Sequence, residues 1–469
     1  MISFRDLNLQ RVTQDPHLLI VLALVCVYIL FFSWVGIWWH GLYYTNVDLD
    51  IFEQALWTTI HTGDLLWANE YGGSSHFGTH FSPILLLMIP IYALFQHTET
   101  IIVLQVIALA AGAIPVYLIA STWISSRAGV CLAGAYLLYP ALHGVTTCEF
   151  HEIVFFPALF LTSFYLLIQR KRAAYVFCIL LTLLIKEDVA MIIGMLGLWG
   201  LWYDRNEDLR SKAVHIGVIL VAAIFFAAAL FIIVPAFNPD GIYPHFSNAY
   251  FSTDISPEEA VNSRAAFLTQ LIAPLIGIPL FAPDLLLIGL PGFLEIFLPN
   301  YPPFWEIGSH YSAIIIPILF IALIQGVKRI RNYTDRYDTR IISIFMILLL
   351  ISSTVSVILI SQSPLSVQFQ HVWGYDQKFQ PYKLTLDTLI REIDQNKEIS
   401  VGSHHPLLTH LSRRKNLNTV YNNSSDLIIV AEGYPDGKIL KDKIEPEIFA
   451  RVHQVYDITV YVNKKGKLA

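Results

Sequence analysis

Runs of about 20 apolar residues, long enough to cross a bilayer core, recur through the first three-quarters of this chain. No other feature constrains the fold as strongly. A segment in hydrocarbon must satisfy its backbone groups internally, so each run must be helical. The runs lie near 17–39, 100–121, 128–145, 153–169, 174–186, 189–203, 213–236, 267–282, 284–299, 311–326 and 341–360. They predict an α-helical polytopic membrane protein of about eleven transmembrane helices. Composition agrees: the chain is 55% hydrophobic and 14% charged, against about 25% charged residues in soluble domains. The first run is too long for a signal-peptide core, and no small-residue cleavage site follows it, so it reads as a span.

Basic loops set the orientation. Arg170, Lys171 and Arg172 form one, Arg205, Arg210 and Lys212 a second, and Lys328, Arg329, Arg331, Arg336 and Arg340 a third. These, with the N-terminal Arg5 and Arg11, are expected in the cytoplasm. The odd number of spans then puts the C-terminus outside. The apolar stretch 82–96 is short and broken by Pro83 and Pro90. It reads as a re-entrant or interfacial segment, since irregular backbone at that depth must line a protein cavity. The net charge of -6 argues against nucleic acid as a partner. The four cysteines, Cys26, Cys131, Cys148 and Cys178, have no metal-ligand spacing and predict no disulfide framework.

The division expected is a transmembrane domain over 1–362 and an extracytoplasmic α/β domain over 363–469. In the latter, 384–396 reads as helix, 399–403 and 426–432 as buried strands, 406–412 as helix, and 452–463 as one or two more strands.

The first outer loop carries the leading candidate. Ile51, Phe52, Ala55, Leu56 and Ile60 form one helical face, suited to a helix on the membrane surface. Asp48 and Asp50 stand at its start. Helix capping is the plain reading, because Asp50 with Glu53 resembles a capping box. The functional reading is a carboxylate for acid–base work or metal binding. His76 and His80 follow in a Gly- and Ser-rich stretch where their four-residue spacing carries little weight. Glu149, His151 and Glu152 sit in a turn between spans, and Lys186, Glu187 and Asp188 between two short apolar runs. Ionisable groups at such depth are costly and default to functional candidates. The alternatives are an ordinary polar turn for the first group and a structural ion pair for the second. Lys186 suits a phosphate. In 300–311, Glu306, His310 and Tyr311 are candidates, while Trp305 reads as an interfacial-belt aromatic. His404, His405 and His410 read as solvated surface residues, and Asn422 and Asn423 as sequons that match often by chance.

The strings DLDIFEQALW, HFGTHFSPILLLMIPIYALF, YPALHGVTTCEFHE, LLIKEDVAMI and SHYSAIIIPILFIAL, in that order, resemble a prokaryotic family of predicted membrane proteins, domain-of-unknown-function family 2079. SVGSHHPLLTHLSRR extends the resemblance into the tail. The family pattern has glycine where this chain has Asp50, which favours Asp48 alone over a paired Asp-x-Asp role. The layout is further similar to GT-C fold membrane glycosyltransferases. That similarity implies an acidic residue in the first outer loop, a second acidic site in the next, and a lysine in a later turn. Asp48, Glu149 or Glu152, and Lys186 match those places.

The resulting expectation is a cell-membrane glycosyltransferase that moves a sugar from a polyprenyl-phosphate donor to an acceptor on the outer face. Asp48 would be the catalytic base. His76, His80, Glu149, His151, Glu152, Lys186, Glu187, Asp188, Glu306, His310 and Tyr311 would contact substrate. A divalent metal is the alternative cation, with Asp48 and Glu149 as candidate ligands. The competing readings are a transporter or lipid flippase with the same charges along a path, and a non-catalytic scaffold presenting the tail domain. No internal repeat of the transporter kind is evident, and a scaffold leaves Lys186–Asp188 unexplained.

Overall fold

The computed structural model describes residues 15–44, 48–69, 73–244, 255–334, 339–369, 375–419, 424–433 and 435–468. Arg5, Arg11, Arg336, Asn422 and Asn423 lie outside them. The protein is mainly helical, with a small sheet near the C-terminus.

Among the described residues, four helices have the length and apolarity of a membrane span: Pro16–Gly41, Thr98–Trp123, Leu209–Phe237 and Ser343–Ile360. Ser126–Leu137 and Pro140–Thr147 pass together as a fifth, bent by 46°. The bend falls where the Pro140 ring has no N–H to continue the ladder. Pro16–Gly41 starts cleanly because the Asp15 carboxylate accepts from the backbone N–H of His17 and Leu18, and proline is favoured in the first turn. This helix exposes Ile20, Val27, Leu30 and Trp34, and Leu209–Phe237 exposes Ile224, Phe231 and Ile232. Apolar surface of that extent suits lipid contact. The helix Ile316–Thr334 is the opposite case. Its residues Leu319, Phe320, Ile321 and Leu323 are all buried, as expected of a helix apolar on every side at a bundle centre.

Other expected spans are shorter or broken. Arg172–Leu183 and Val189–Tyr203 have 12 and 15 residues, about 18–23 Å at 1.5 Å per residue, against about 30 Å of hydrocarbon. The stretches 267–282 and 284–299 do not form continuous helices. Pro257–Ile272 gives way to short turns around Ala273–Leu275, Ile278–Phe281 and Pro283–Leu286 before Leu290–Phe297. Pro274, Pro279, Pro283 and Pro291 cannot donate to a helix ladder, which is the physical reason. The stretch 82–96 forms the helix Ile84–Leu94, about 16 Å long. Its first amide, Ile84 N–H, donates to Leu184 O at 2.7 Å, which ties it to the turn holding Lys186.

Near the C-terminus, the helix Tyr375–Asp394 precedes a five-stranded sheet. The strands are β3 (Val401–Ser403), β4 (Leu417–Thr419), β5 (Leu427–Ala431), β6 (Phe449–Val455) and β7 (Ile458–Asn463), in the order β4-β3-β5-β7-β6. A two-stranded ribbon of β1 (Trp67–Ala68) and β2 (Ser74–Ser75) lies earlier in the chain. The pairs β3–β4 and β3–β5 are parallel, and β7 is antiparallel to both neighbours. The short crossover helix His405–Leu408 connects β3 to β4. Leu386, Ile390, Val401, Leu407, Ile429 and Val460 fill the core on one face. Tyr43, from the end of the first helix, is part of that core, and its hydroxyl donates to Asp387 Oδ1 at 2.9 Å.

The helix Leu49–His61 differs from the surface helix that its apolar stripe suggests. Ile51, Phe52, Ala55 and Leu56 are buried, but so are Asp50, Glu53, Gln54 and Thr58. The polar face is covered by the C-terminal domain. Gln54 Nε2 donates to Arg414 O at 2.8 Å and Lys415 O at 3.0 Å. The Glu53 carboxylate accepts from Tyr92 Oη at 2.9 Å, Thr98 Oγ1 at 2.7 Å, and the Ser412 hydroxyl. Glu53 therefore does not close a capping box. It joins this helix to two others and to the C-terminal domain.

Candidate active site

Asp48 occupies the N-cap position of Leu49–His61 with φ 65°, and its side chain makes no cap hydrogen bond. A non-glycine residue in the left-handed region costs energy unless its surroundings hold it there. The carboxylate turns to His151, whose Nε2 lies 3.3 Å from Asp48 Oδ2. His151 Nδ1 lies 3.2 Å from Glu149 O. With an acceptor at each ring nitrogen, the imidazole is satisfied only when both carry a proton. Burial pulls the His151 pKa down, but the Asp48 bond and charge outweigh it and raise it above the ordinary value. Partial burial pushes Asp48 up, yet the His151 bond and charge, with His405, hold its carboxyl below the usual range. The two form an ion pair. The Asp48 side chain stays 37% exposed, open to an incoming group.

The His310 ring stacks on His151, with centroids 3.3 Å apart and planes at 19°. Burial first, then the His151 and Lys186 charges, press the His310 pKa far down, so the second ring is neutral. Tyr311 packs beside it, centroids 4.0 Å apart. The loop bearing both reaches this position because residue 144 is glycine. A Cβ there would overlap Ile307 O.

The turn at 186–188 supplies the second half. Lys186 Nζ lies 3.4 Å from Asp188 Oδ2, so the ion pair within the turn is present. Glu152, Glu187 and Glu295 act on the same ammonium, and with Asp188 they raise its pKa well above normal despite burial. Lys186 is thus firmly charged. Glu187 is bound on several sides: His80 Nδ1 lies 2.8 Å from Oε1, Tyr243 Oη donates to Oε1 at 2.8 Å, and Phe81 N–H donates to Oε2 at 2.8 Å. Burial raises Glu152, opposed mainly by Lys186. His76 is buried in the short turn His76–Gly78, its ring 6.1 Å from that of His80. Burial lowers its pKa to about 3.

Most of the residues singled out in the sequence therefore converge, though far apart in the chain. Two stand aside. Glu306 is exposed, and among the described residues no side-chain hydrogen bond or ion pair links it to the cluster. Glu149 contributes its carbonyl, while its side chain lines a neighbouring cavity of about 50 Å³ with Phe32, Trp39, Tyr44, Gln105 and Phe150. Trp305 is buried, its Nε1 donating to Ile296 O at 2.9 Å under the Arg264 guanidinium, so it is not a belt residue. His404 is fully buried, and His410 stacks on His40 at 4.0 Å, so neither is a solvated surface residue. Sequence reasoning missed Tyr243 and Glu295. A lone acid within an apolar run was the available signal for Glu295. Among the described residues, no three His, Cys, Asp or Glu side chains are grouped to hold a metal ion, and Asp48 with Glu149 does not form such a group.

This architecture resembles the GT-C fold of membrane glycosyltransferases. The crystal structure of ArnT from Cupriavidus metallidurans bound to undecaprenyl phosphate superposes with a TM-score of 0.56 at 12% identity, covering 95% of this chain and 98% of that one. ArnT from the same organism in the apo state gives 0.54 at 13%, covering 93% and 98%. By sequence, no curated protein matches. The chain belongs to the predicted membrane protein family DUF2079, whose model matches residues 39–436.

Proposed function

We propose that this protein is a membrane glycosyltransferase that moves a sugar from a polyprenyl-phosphate carrier to a hydroxyl acceptor. The C-terminal domain and the Asp48 site would face the outside of the cell. The observations that support the reading are an Asp48 carboxylate that is 37% exposed and paired with His151, and a Lys186 held charged by the carboxylates around it. The first suits an acceptor hydroxyl and the second a phosphate leaving group.

In this reading the acceptor oxygen attacks the anomeric carbon as Asp48 takes its proton. The bond from that carbon to the phosphate oxygen breaks, and its electron pair leaves with the polyprenyl phosphate. Lys186 stabilises the charge that develops there. A single displacement inverts the anomeric centre. His151 holds Asp48 ionised and oriented, while neutral His310 shields the pair. ArnT, bound to undecaprenyl phosphate in its structure, supports a lipid-linked donor for a chain of the same fold. The lipid tail would lie along the open apolar surface of the bundle.

The test is to supply membranes containing the full chain with a radiolabelled sugar on polyprenyl phosphate. Release of polyprenyl phosphate together with labelled product, absent from membranes lacking the protein, is expected. No turnover of any such donor would overturn the proposal.

A further inference from the structure

Two segments far apart in the chain are fastened together at the turn that carries Lys186. His80 Nδ1 lies 2.8 Å from Glu187 Oε1, Phe81 N–H donates to Glu187 Oε2 at 2.8 Å, and Ile84 N–H donates to Leu184 O at 2.7 Å. A third segment joins them. Tyr243 Oη donates to Glu187 Oε1 at 2.8 Å, and Asn238 Nδ2 donates to Gly78 O at 2.8 Å. Residue 78 must be small for this approach, because a Cβ there would overlap Phe237 O.

The two members of the His80–Glu187 pair differ in access. The Glu187 side chain is 1% exposed with both oxygens engaged, whereas the His80 side chain is 21% exposed. Glu187 thus presents no face to a substrate, although the sequence suggests that role for it, and the His80 ring is reachable. A buried carboxylate behind an imidazole fixes the tautomer and the orientation of the ring for work at the other nitrogen. With Nδ1 committed to Glu187, any bond from the His80 ring nitrogens to a substrate is made through Nε2.

We propose that Glu187 is a positioning residue that holds His80 to bind the donor phosphate through Nε2, beside the turn that carries Lys186. This rests on the transferase reading above. The His80 ring acts as a cation, donating Nδ1–H to Glu187 and Nε2–H to a phosphate oxygen. An anion on each side of the ring favours that form. The Lys186 ammonium bonds another oxygen of the same phosphate.

The purified full chain in detergent is titrated with polyprenyl monophosphate, with the matching polyprenol and with inorganic phosphate. Binding is read from the rise in unfolding temperature. His80→Ala should weaken polyprenyl phosphate by about tenfold, as losing one charge-assisted hydrogen bond predicts, and leave polyprenol unchanged. Glu187→Gln should weaken it comparably, yet cost no further affinity once His80 is alanine, because it acts through His80. A purely structural Glu187 would lower the unfolding temperature in both backgrounds and leave the phosphate affinity alone. Unaltered affinity in His80→Ala, or an equal further loss from Glu187→Gln in the alanine background, overturns the role. Inorganic phosphate that binds as tightly as the lipid overturns the donor assignment. If Glu187→Gln does not fold, His80→Gln decides: its amide can donate from near the Nε2 position and should recover part of the affinity, and affinity equal to that of His80→Ala overturns the role. Phosphate-dependent binding without turnover of any sugar donor overturns the transferase reading alone, whereas turnover with variant affinities unchanged overturns this one alone.

Discussion

His151 Nε2 stands 3.3 Å from Asp48 Oδ2, and this ion pair sets a pH window. His151 is raised above 6.5. Its contribution is whole below 6.5 and is lost as pH rises through the raised value. Asp48 is lowered below 3.8. Its contribution is present above 3.8 and is lost as pH falls through the lowered value. Transfer should therefore decline on the alkaline side as His151 loses its proton. His151→Gln keeps a hydrogen bond but cannot titrate. Its rate–pH profile should be lower throughout and lack that alkaline limb. An alkaline limb at the same pH in the variant would assign it to another group.

Glu53 is the latch between the membrane helices and the C-terminal domain. Removing its carboxylate leaves the Tyr92 hydroxyl without its acceptor in a buried site, and leaves Thr98 and Ser412 only their longer bonds to Thr409 O. Such a loss costs about 1–3 kcal/mol. Glu53→Ala should speed hydrogen exchange across 405–415 and lower the unfolding temperature in detergent. Glu53→Gln, of the same shape with an acceptor retained, should do much less. Equal exchange in the Ala variant and the unmodified protein would remove the latch.

Gly144 tests the loop that carries His310. A methyl group there meets Ile307 O, and overpacking of this kind costs about 1–3 kcal/mol. Gly144→Ala should lower stability by that amount and reduce transfer, because the stack on His151 shifts. Gly194→Ala, with open space at its Cβ, is the control and should unfold at or slightly above the normal temperature.

The candidate cluster was legible in the sequence where charge stood against an apolar background. Asp48, His151 and Lys186 were conspicuous for that reason, because ionisable groups are rare in such segments. Glu53 was not. Its three-residue spacing from Asp50 imitates a capping box, whereas its real partner Ser412 lies 359 residues away. His404 and His410 were misjudged for the same reason, since the local sequence around Pro406 says nothing of what packs against them. The long first helix was legible from apolar length. The region 267–299 was not, because its prolines divide a run whose hydropathy alone suggests two spans. Trp305 looked like a belt aromatic because local sequence cannot show Arg264 lying over it.

Orientation is testable without an activity assay. In a background lacking the four native cysteines, a cysteine at 171 should resist an impermeant thiol reagent added outside intact cells, and one in the exposed part of β6 should react. Outside labelling at 171 would reverse the assignment and place the Asp48 site on the cytoplasmic face.

The central claim is that Asp48 removes the acceptor proton, and Asp48→Asn tests it most directly. Asparagine keeps the volume, and no cap bond is lost because the carboxylate makes none. A general base contributes about 10²–10⁴-fold to rate. The account predicts a fall of that size in sugar transfer from the polyprenyl-phosphate donor, in a variant that still inserts and folds and loses only the stability of the charge pairing with His151. Asp50→Gly, in the same assay, should transfer at a near-normal rate. Near-normal transfer by Asp48→Asn would contradict the account.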